Sequence, residues 1–365
     1  MTEVTHVQLS SILKHYYRQR IPVFVWGTLG IGKSSIIKQV AKDLSVEFGQ
    51  GFIEGEPDGE EKFGFIDVRI SQLEPSDLRG LPNIINDDNT KVTKWIIPNW
   101  LPRNEKSKGI LFFDELNLAP PSIQASCYQL ILDRRLGDYK LPDGWFIISA
   151  GNTINDKANV FDLPSPLANR FTHLNLKIPS KDEWVNWGMN NNINSWILGF
   201  MEFKPSFLYK FDKSNKDKAF PTPRSWEYVS KLLANSDKMN LEDKNILVAS
   251  AVGDGVATEF IAYYRLQNKI NLKEILENPE SVKEIKEIDL RYSLLSAVTE
   301  KYREDKKVLE KVLKVCEYLE PEFAILLLRY MKASRNEFVN EVLKVKIGKE
   351  IINKYAKYLT ELKND

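Results

Sequence analysis

The sequence predicts an α/β protein in which a doubly wound parallel sheet is followed by an all-α part. Between about residues 20 and 180, short apolar runs alternate with amphipathic segments, which is typical of strands that alternate with helices. The run Ile110–Phe113 is continuously apolar, as expected for a strand that helices cover on both faces. After Pro179 the pattern changes to helical segments with recognisable N-terminal caps. These three observations together favour the α/β layered class.

Five of the apolar runs are predicted as the strands of this sheet. They are Pro22–Trp26, Phe65–Ile70, Ile110–Asp114, Trp145–Ala150 and Thr172–Ile178. Helical patterns follow the first and the third run, around residues 34–44 and 121–132. We therefore expect a sheet of five strands with helices in its connections.

The domain organisation follows the same change of pattern. We expect an α/β core over residues 1–179, a helical segment over 180–270 and a helical C-terminal extension over 271–365. Ser180 and Glu183 have the spacing of a capping box, and a second cap lies around Thr222. In the extension, the apolar residues have the spacing of a packed bundle face.

The composition argues against several classes of protein. With 51 Lys and Arg against 50 Asp and Glu, the net charge of +1 gives no overall attraction to nucleic acid or anionic membranes. No stretch approaches the roughly 18 apolar residues of a membrane span, and residues 1–10 lack a signal-peptide core. Cys127 and Cys316 are expected to be buried, reduced thiols in a cytoplasmic protein. The scattered histidines argue against a zinc site.

A glycine-rich motif follows the first predicted strand. Residues 27–34 read Gly-Thr-Leu-Gly-Ile-Gly-Lys-Ser, which has the spacing G-x-x-x-x-G-K-S. A strand that ends in such a turn and opens a helix directs backbone N–H groups and the positive end of the helix dipole at one concavity, which suits nucleotide phosphates. Lys33 is expected to reach the β- and γ-phosphates, and the Ser34 hydroxyl to ligate Mg²⁺. The alternative is a chance match in a glycine-rich turn, which the strand before and the helix after disfavour.

The residues expected to bind the nucleotide are those of this loop and the first turn of the helix. They are Gly27, Thr28, Leu29, Gly30, Ile31, Gly32, Lys33, Ser34 and Ser35.

Two carboxylates come at the end of the third predicted strand. Asp114 and Glu115 follow a run of four apolar residues, and ligands of doubly wound sheets bind at the carboxyl ends of the strands. Asp114 can hold Mg²⁺ directly or through water. Glu115 is then placed to polarise a water for in-line attack on the γ-phosphorus. The alternative is an acidic strand end that caps the next helix; the pattern is weak alone and strong beside the phosphate loop.

Three further polar residues have candidate roles. Asn152 follows the fourth predicted strand and could orient the attacking water, although a turn-forming Asn is the simpler interpretation. Arg170 lies between a short helix and a strand, where an arginine usually lies at the surface or pairs with an acid. Arg224 opens a helix of the later segment, and ordinary helix-surface charge is its alternative.

The order of these motifs resembles that of the AAA+ ATPases, and the intervening sequence is similar to the MoxR and dynein-related branch. The stretches that carry the resemblance are Ser71–Pro82, Asp114–Asn117, Leu141–Trp145 and Gly151–Thr153. The resemblance covers about residues 8–265 and leaves out the tail from about residue 271.

The resemblance implies a role for each polar residue. It makes Asn152 sensor 1, Arg170 the arginine finger that acts on the nucleotide of the neighbouring subunit, and Arg224 sensor 2. Sensor 2 would contact the γ-phosphate from a helical lid formed by residues 180–270. The resemblance also implies hydrolysis of ATP with Mg²⁺ in a ring, most often a hexamer, and action on a protein client or a partner with a von Willebrand factor A domain.

Two loops are candidates for the element that faces the pore of such a ring. In the resembled branch, an insertion in the second helix projects toward the pore, and here it would lie within about residues 71–100, with Gly80–Trp95 as its centre. Leu136–Gly144 is a second candidate. The alternative for both is a disordered or packing loop.

Two other functions remain as alternatives. One is an NTP-driven motor of a nucleic-acid system, including the GTP-using restriction branch, which shares the strand-end Asn-Thr pair; the near-neutral charge disfavours it. The other is a nucleotide-gated binding switch that rarely turns over, which the presence of Glu115 and Arg170 disfavours.

Overall fold

The computed structural model describes residues 1–87, 90–153, 161–212, 217–236, 238–335 and 337–360. The chain forms two compact units, Met1–Ile178 and Pro179–Asp365. The first unit carries all the strands that the structure describes, and the second is built from helices. The fold is therefore an α/β unit with a parallel sheet, followed by a largely helical region.

The first unit alternates strands and helices along the chain. Its strands are β1 (Thr2–Val4), β2 (Val23–Trp26), β3 (Gly51–Glu54), β4 (Lys62–Arg69), β5 (Leu81–Asp87), β6 (Thr90–Ile96), β7 (Lys108–Asp114), β8 (Arg135–Leu136), β9 (Tyr139–Lys140), β10 (Gly144–Gly151) and β11 (Thr172–Leu176). Its helices are α1 (His6–Gln19), α2 (Lys33–Glu47), α3 (Pro75–Arg79), α4 (Pro121–Asp133) and α5 (Ser165–Ala168).

Seven strands form one sheet in the order β1-β11-β2-β10-β7-β4-β3, and every neighbouring pair is parallel. The five predicted strands are the five adjacent central ones, β11-β2-β10-β7-β4, which confirms the predicted fold class. The predicted number of five strands was too small, because β1 and β3 extend the two edges. These edge strands are only three and four residues long and lack a long apolar run, so the sequence pattern did not reveal them.

Helices cover both faces of the sheet, which makes it doubly wound. On one face, the Tyr17 ring of α1 packs against Phe63 of β4 and Phe146 of β10, with ring centroids 5.6 and 5.9 Å apart. On the other face, Ile123 and Cys127 of α4 share a buried core with residues of β7 and β10. Because both faces are covered, the strands are continuously apolar, as predicted for β7.

Two antiparallel hairpins stand outside this sheet. β5 pairs with β6, and the short strands β8 and β9 pair with each other. The first hairpin contains most of the predicted insertion around Gly80–Trp95, of which residues 88 and 89 lie outside the described part of the chain. The second covers residues 135–140 and overlaps the predicted loop Leu136–Gly144.

The second unit consists of helices packed around one buried core. They are α6 (Lys181–Asn190), α7 (Ser195–Phe203), α8 (Pro223–Leu233), α9 (Leu241–Val252), α10 (Asp254–Arg265), α11 (Leu272–Glu277), α12 (Ile288–Glu304), α13 (Leu309–Tyr318), α14 (Pro321–Ser334), α15 (Phe338–Val342) and α16 (Lys346–Thr360). The predicted capping box at Ser180 and the predicted cap at Thr222 are both present. Buried core residues come from both sides of residue 270, and the division of this unit into lid and extension stays a prediction.

Both cysteines are free and buried, as predicted. Burial raises the pKa of the Cys127 and Cys316 thiols to about 12, so the thiolate is scarce at neutral pH. None of the helices in the described part of the chain has both the length and the apolar character that a membrane span requires.

Candidate functional site

The predicted site residues of the α/β unit lie at one edge of the sheet. The phosphate loop connects β2 to α2, Asp114 ends β7, and Asn152 follows β10. Since β2, β10 and β7 are adjacent and parallel, their carboxyl ends meet at the same edge. The fold thus brings together segments that are far apart in the sequence.

The backbone of the phosphate loop depends on glycine. Gly30 and Gly32 have φ angles of 70° and 94°, in the left-handed region that residues with a side chain rarely adopt. Helix α2 begins at Lys33, and no side chain caps its first turn. The N–H groups and the positive dipole of that turn therefore suit an anion. Ser35 is exposed in the same turn.

His6, the first residue of α1, forms a hydrogen bond with the backbone of the phosphate loop. Its Nε2 atom lies 2.7 Å from the carbonyl oxygen of Ile31, so this nitrogen carries the donated proton. The contact ties α1 to the phosphate loop, and the sequence pattern gave no sign of it.

Lys33 is buried and joins the phosphate loop to the end of β10. Its ammonium donates hydrogen bonds to the carbonyl oxygens of Gly27 and Thr28 at 2.7 and 2.9 Å. It also donates to Oδ1 of Asn152 at 2.9 Å. The predicted phosphate-binding lysine and the predicted sensor 1 asparagine are therefore direct neighbours.

Ser34 and Asp114 lie in contact across the same edge. The Ser34 hydroxyl donates a hydrogen bond of 2.7 Å to Oδ2 of Asp114, which is buried. A hydroxyl and a carboxylate oxygen are hard donors of the kind that Mg²⁺ prefers. The pair therefore fits the predicted magnesium site, with one ligand from α2 and one from β7.

Asp67 adds negative charge beside this pair. It lies on β4, which pairs directly with β7. Partial desolvation raises the pKa of Asp67, and the nearby Asp114 carboxylate raises it further. Carboxylates that repel each other favour a cation between or beside them, which agrees with the donor set of Ser34 and Asp114.

Glu115 has an unusual backbone and a fixed side chain. Its φ of 57° places a non-glycine residue in the left-handed region, a conformation that costs free energy and is common at functional sites. Its Oε2 atom accepts a hydrogen bond of 2.8 Å from the hydroxyl of Ser71, which follows β4. The sequence predicted no role for Ser71, because its contact with Glu115 forms only when β4 and β7 align.

Asn117 holds Asn152 in place. Its side-chain amide donates to the carbonyl oxygen of Asn152 at 2.8 Å and accepts from the backbone N–H of Asn152 at 3.1 Å. Asn117 is fully buried, and a Cβ atom on Gly151 would clash with its Oδ1. The sequence predicted no role for Asn117, because the pair depends on contact between two distant segments.

Arg170 does not join these residues. Its Nη1 atom donates to the carbonyl oxygen of Pro166 at 2.8 Å, and its guanidinium lies 5.4 Å from the ring centroid of Tyr128. Within the described residues, Arg170 forms no hydrogen bond or ion pair with Asp114 or Glu115. Its predicted action on a neighbouring subunit stays a prediction.

Arg224 belongs to the helical unit. It is exposed in the first turn of α8, next to the capping box formed by Thr222 and Ser225. Its predicted role as sensor 2 stays a prediction.

The chain is similar to known proteins in structure but not detectably in sequence. No protein-family model matches the sequence, and no curated protein matches it. A candidate ATPase from Cytophaga hutchinsonii is similar over 87% of this chain and 78% of its own, with 13% identity and a TM-score of 0.34. PCH-2 of C. elegans is similar over 70% of this chain and 66% of its own, with 12% identity and a TM-score of 0.33.

NtrX from Brucella abortus in complex with ATP is similar over 90% of this chain and 67% of its own, with 15% identity and a TM-score of 0.36. These identities and TM-scores are low, so the function proposed below rests on the geometry of the site.

Proposed function

We propose that this protein is an AAA+ ATPase of the MoxR-like branch, which hydrolyses ATP with Mg²⁺ in a ring and uses the energy to remodel a protein partner. The observation that carries the proposal is the pair of contacts Lys33–Asn152 and Ser34–Asp114 at one edge of a parallel sheet. They bring the phosphate loop into contact with the two strand ends that the chemistry requires.

Binding of the nucleotide follows from the loop and from Lys33. Phosphate oxygens would accept hydrogen bonds from the N–H groups of the loop and of the first turn of α2. Lys33 now donates to two carbonyl oxygens of the loop and would donate to the β- and γ-phosphates instead, which are stronger acceptors because they are charged. Ser34 and Asp114 would hold Mg²⁺, which neutralises phosphate charge when it is bound.

In the proposed hydrolysis, Glu115 is the general base. Its carboxylate would accept a proton from a water molecule as the water oxygen bonds to the γ-phosphorus and the bond to the bridging oxygen of ADP breaks. The Asn152 amide, held by Asn117, would orient this water. Glu115 accepts a hydrogen bond from Ser71 at one oxygen in the described conformation, and we propose that the side chain turns away from Ser71 when it acts as the base.

Assembly into a ring would complete the site. Arg170 is oriented by Pro166 and Tyr128, and within the described residues it makes no hydrogen bond with the phosphate loop of its own chain. An arginine held in this way suits a role toward the nucleotide of a neighbouring subunit, where it would neutralise charge on the transferred phosphoryl group. We propose a hexamer, with Arg224 contacting the γ-phosphate from the helical unit.

The β5–β6 hairpin is the proposed contact with the protein partner. Leu81, Ile84, Trp95 and Ile96 are 61, 70, 49 and 56% exposed, with Leu81 and Ile96 on one face of the hairpin and Ile84 and Trp95 on the other. We propose that this hairpin faces the pore of the ring and contacts a client or a partner with a von Willebrand factor A domain.

Phosphate release from ATP and from GTP tests the proposed activity. The wild-type protein should release phosphate from ATP in the presence of Mg²⁺, and Glu115→Gln should bind ATP but lose at least about 100-fold in turnover, since an amide cannot accept the proton. The control is Glu105→Gln, a change of the same type at an exposed residue without an ion pair within the described part of the chain. Normal turnover in Glu115→Gln would remove Glu115 as the base, and turnover of GTP alone would favour the alternative GTP-driven motor.

A further inference from the structure

The helical unit contains a cavity of about 500 Å³. All its lining residues lie between Asn192 and Glu304, so helices α8, α9, α10 and α12 of this unit form most of its walls. Its volume lies within the range of roughly 300–1,000 Å³ that is typical of pockets for small molecules. Nothing in the proposed ATPase mechanism uses it.

One wall of the cavity is aromatic. Trp196, Phe260 and Tyr264 line it, and the rings of Trp196 and Tyr264 meet edge to face with centroids 5.0 Å apart. Such a surface buries the apolar part of an organic molecule. Asn192, Asn235 and Gln267 also line the cavity and are neutral residues that can form hydrogen bonds.

The charged residues that line the cavity have a net charge of +1. Three cations and two carboxylates contribute to the lining, which gives a net charge of +1. Arg303 pairs with Glu300 at 2.6 Å, and Lys301 lies 3.5 Å from Glu304. The charges within each of these two pairs neutralise each other, and the remaining positive charge is that of Lys244.

Lys244 is 6% exposed and lies on α9. Its ammonium donates to the Tyr264 hydroxyl at 3.2 Å and lies 5.0 Å from the centroid of the same ring. Among the residues that the structure describes, no carboxylate oxygen lies within 4.0 Å of this ammonium. A buried cation without an opposite charge is costly, and a bound anion would remove that cost.

We propose that this cavity binds a small organic anion, a carboxylate or a phosphate ester. Its charged group pairs with Lys244, and its apolar part packs against Trp196 and Phe260. The cavity is then a second binding site, separate in sequence and in chemistry from the phosphate loop.

A pair of matched fluorescent probes tests this site on the full chain. Anilinonaphthalene sulfonate carries one negative charge on an aromatic body, and N-phenyl-1-naphthylamine is the same body without the sulfonate. The wild-type protein should bind the sulfonate roughly ten-fold more tightly than the neutral probe, since only the sulfonate gains a charge-assisted hydrogen bond. Equal affinities in the wild-type protein would overturn the proposal and require no variant.

Variants of Lys244 test whether this residue binds the sulfonate group. Lys244→Met should lose roughly ten-fold in sulfonate affinity and keep its affinity for the neutral probe, while Lys244→Arg should retain both. The control is Lys311→Met, an exposed lysine of α13 that does not line the cavity. Circular dichroism checks that each variant is folded. Equal sulfonate affinity in Lys244→Met and the wild-type protein would overturn the proposal.

Competition distinguishes the two kinds of anion and the two sites. Displacement of the sulfonate by citrate supports a carboxylate ligand, displacement by pyrophosphate supports a phosphate ligand, and displacement by neither overturns the proposal. The titration is repeated with Lys33→Ala, whose phosphate loop is impaired. Sulfonate binding should be unchanged in this variant, and its loss would show that the probe reports the nucleotide site instead.

Discussion

The hydroxyl of Ser71 donates a hydrogen bond of 2.8 Å to Oε2 of Glu115, the residue proposed as the catalytic base. The bond links the end of β4 to the end of β7, two neighbouring strands of the sheet. It occupies one of the two oxygens that could accept the proton of the attacking water. We propose that Ser71 in this way restrains Glu115 until the side chain turns toward the attacking water.

Removal of this hydroxyl should release the base. In Ser71→Ala we expect turnover of ATP without a partner protein to rise roughly ten- to 100-fold, about the worth of one charge-assisted hydrogen bond, with the KM for ATP unchanged. Phosphate release under saturating ATP measures it. Ser71→Thr keeps a hydroxyl and should behave as the wild-type protein. A fall in turnover of Ser71→Ala would instead mean that Ser71 positions Glu115 for catalysis.

Loss of the Asn117 side chain should weaken both the fold and the site. Asn117→Ala leaves the backbone N–H and carbonyl of Asn152 without their partner, which should cost about 1–3 kcal/mol in the free energy of unfolding. Because Asn152 then loses its orientation, kcat should fall more than KM rises. Thermal unfolding and steady-state kinetics measure the two effects. Asn99→Ala, at an exposed position, is the control, and wild-type values in both assays would contradict the positioning role.

Action of Arg170 between subunits can be tested by mixing two inactive variants. Arg170→Ala and Glu115→Gln should each turn over ATP slowly, and mixed rings should regain activity because some intact Glu115 sites face intact Arg170 residues. Phosphate release is followed as the ratio of the two variants changes. Arg135→Ala, an exposed arginine of β8, should keep wild-type turnover. Absence of recovery at every ratio, in rings shown to be mixed, would exclude this action.

The sequence predicted the parts of the site that depend on local pattern. The glycines and Lys33 of the phosphate loop, and Asp114 at a strand end, have spacings that follow from backbone geometry alone. The five central strands were found for the same reason, since each is a compact apolar run.

The residues and strands that the sequence did not predict depend on contacts between distant segments. Neither Ser71 beside Glu115 nor Asn117 beside Asn152 follows from a local pattern, because each pair is formed only when neighbouring strands align. The edge strand β1 pairs on one side only and needs no long apolar run, so its sequence resembles that of a loop.

Binding of a fluorescent ATP analogue to Lys33→Ala tests the central claim most directly. Lys33 is proposed to bind the β- and γ-phosphates, so its loss should weaken binding at least about 100-fold in a fluorescence titration with Mg²⁺. Lys42→Ala, an exposed lysine of the same helix α2, should bind as the wild-type protein does. Unchanged affinity in a folded Lys33→Ala variant would contradict the assignment of residues 27–34 as the nucleotide site.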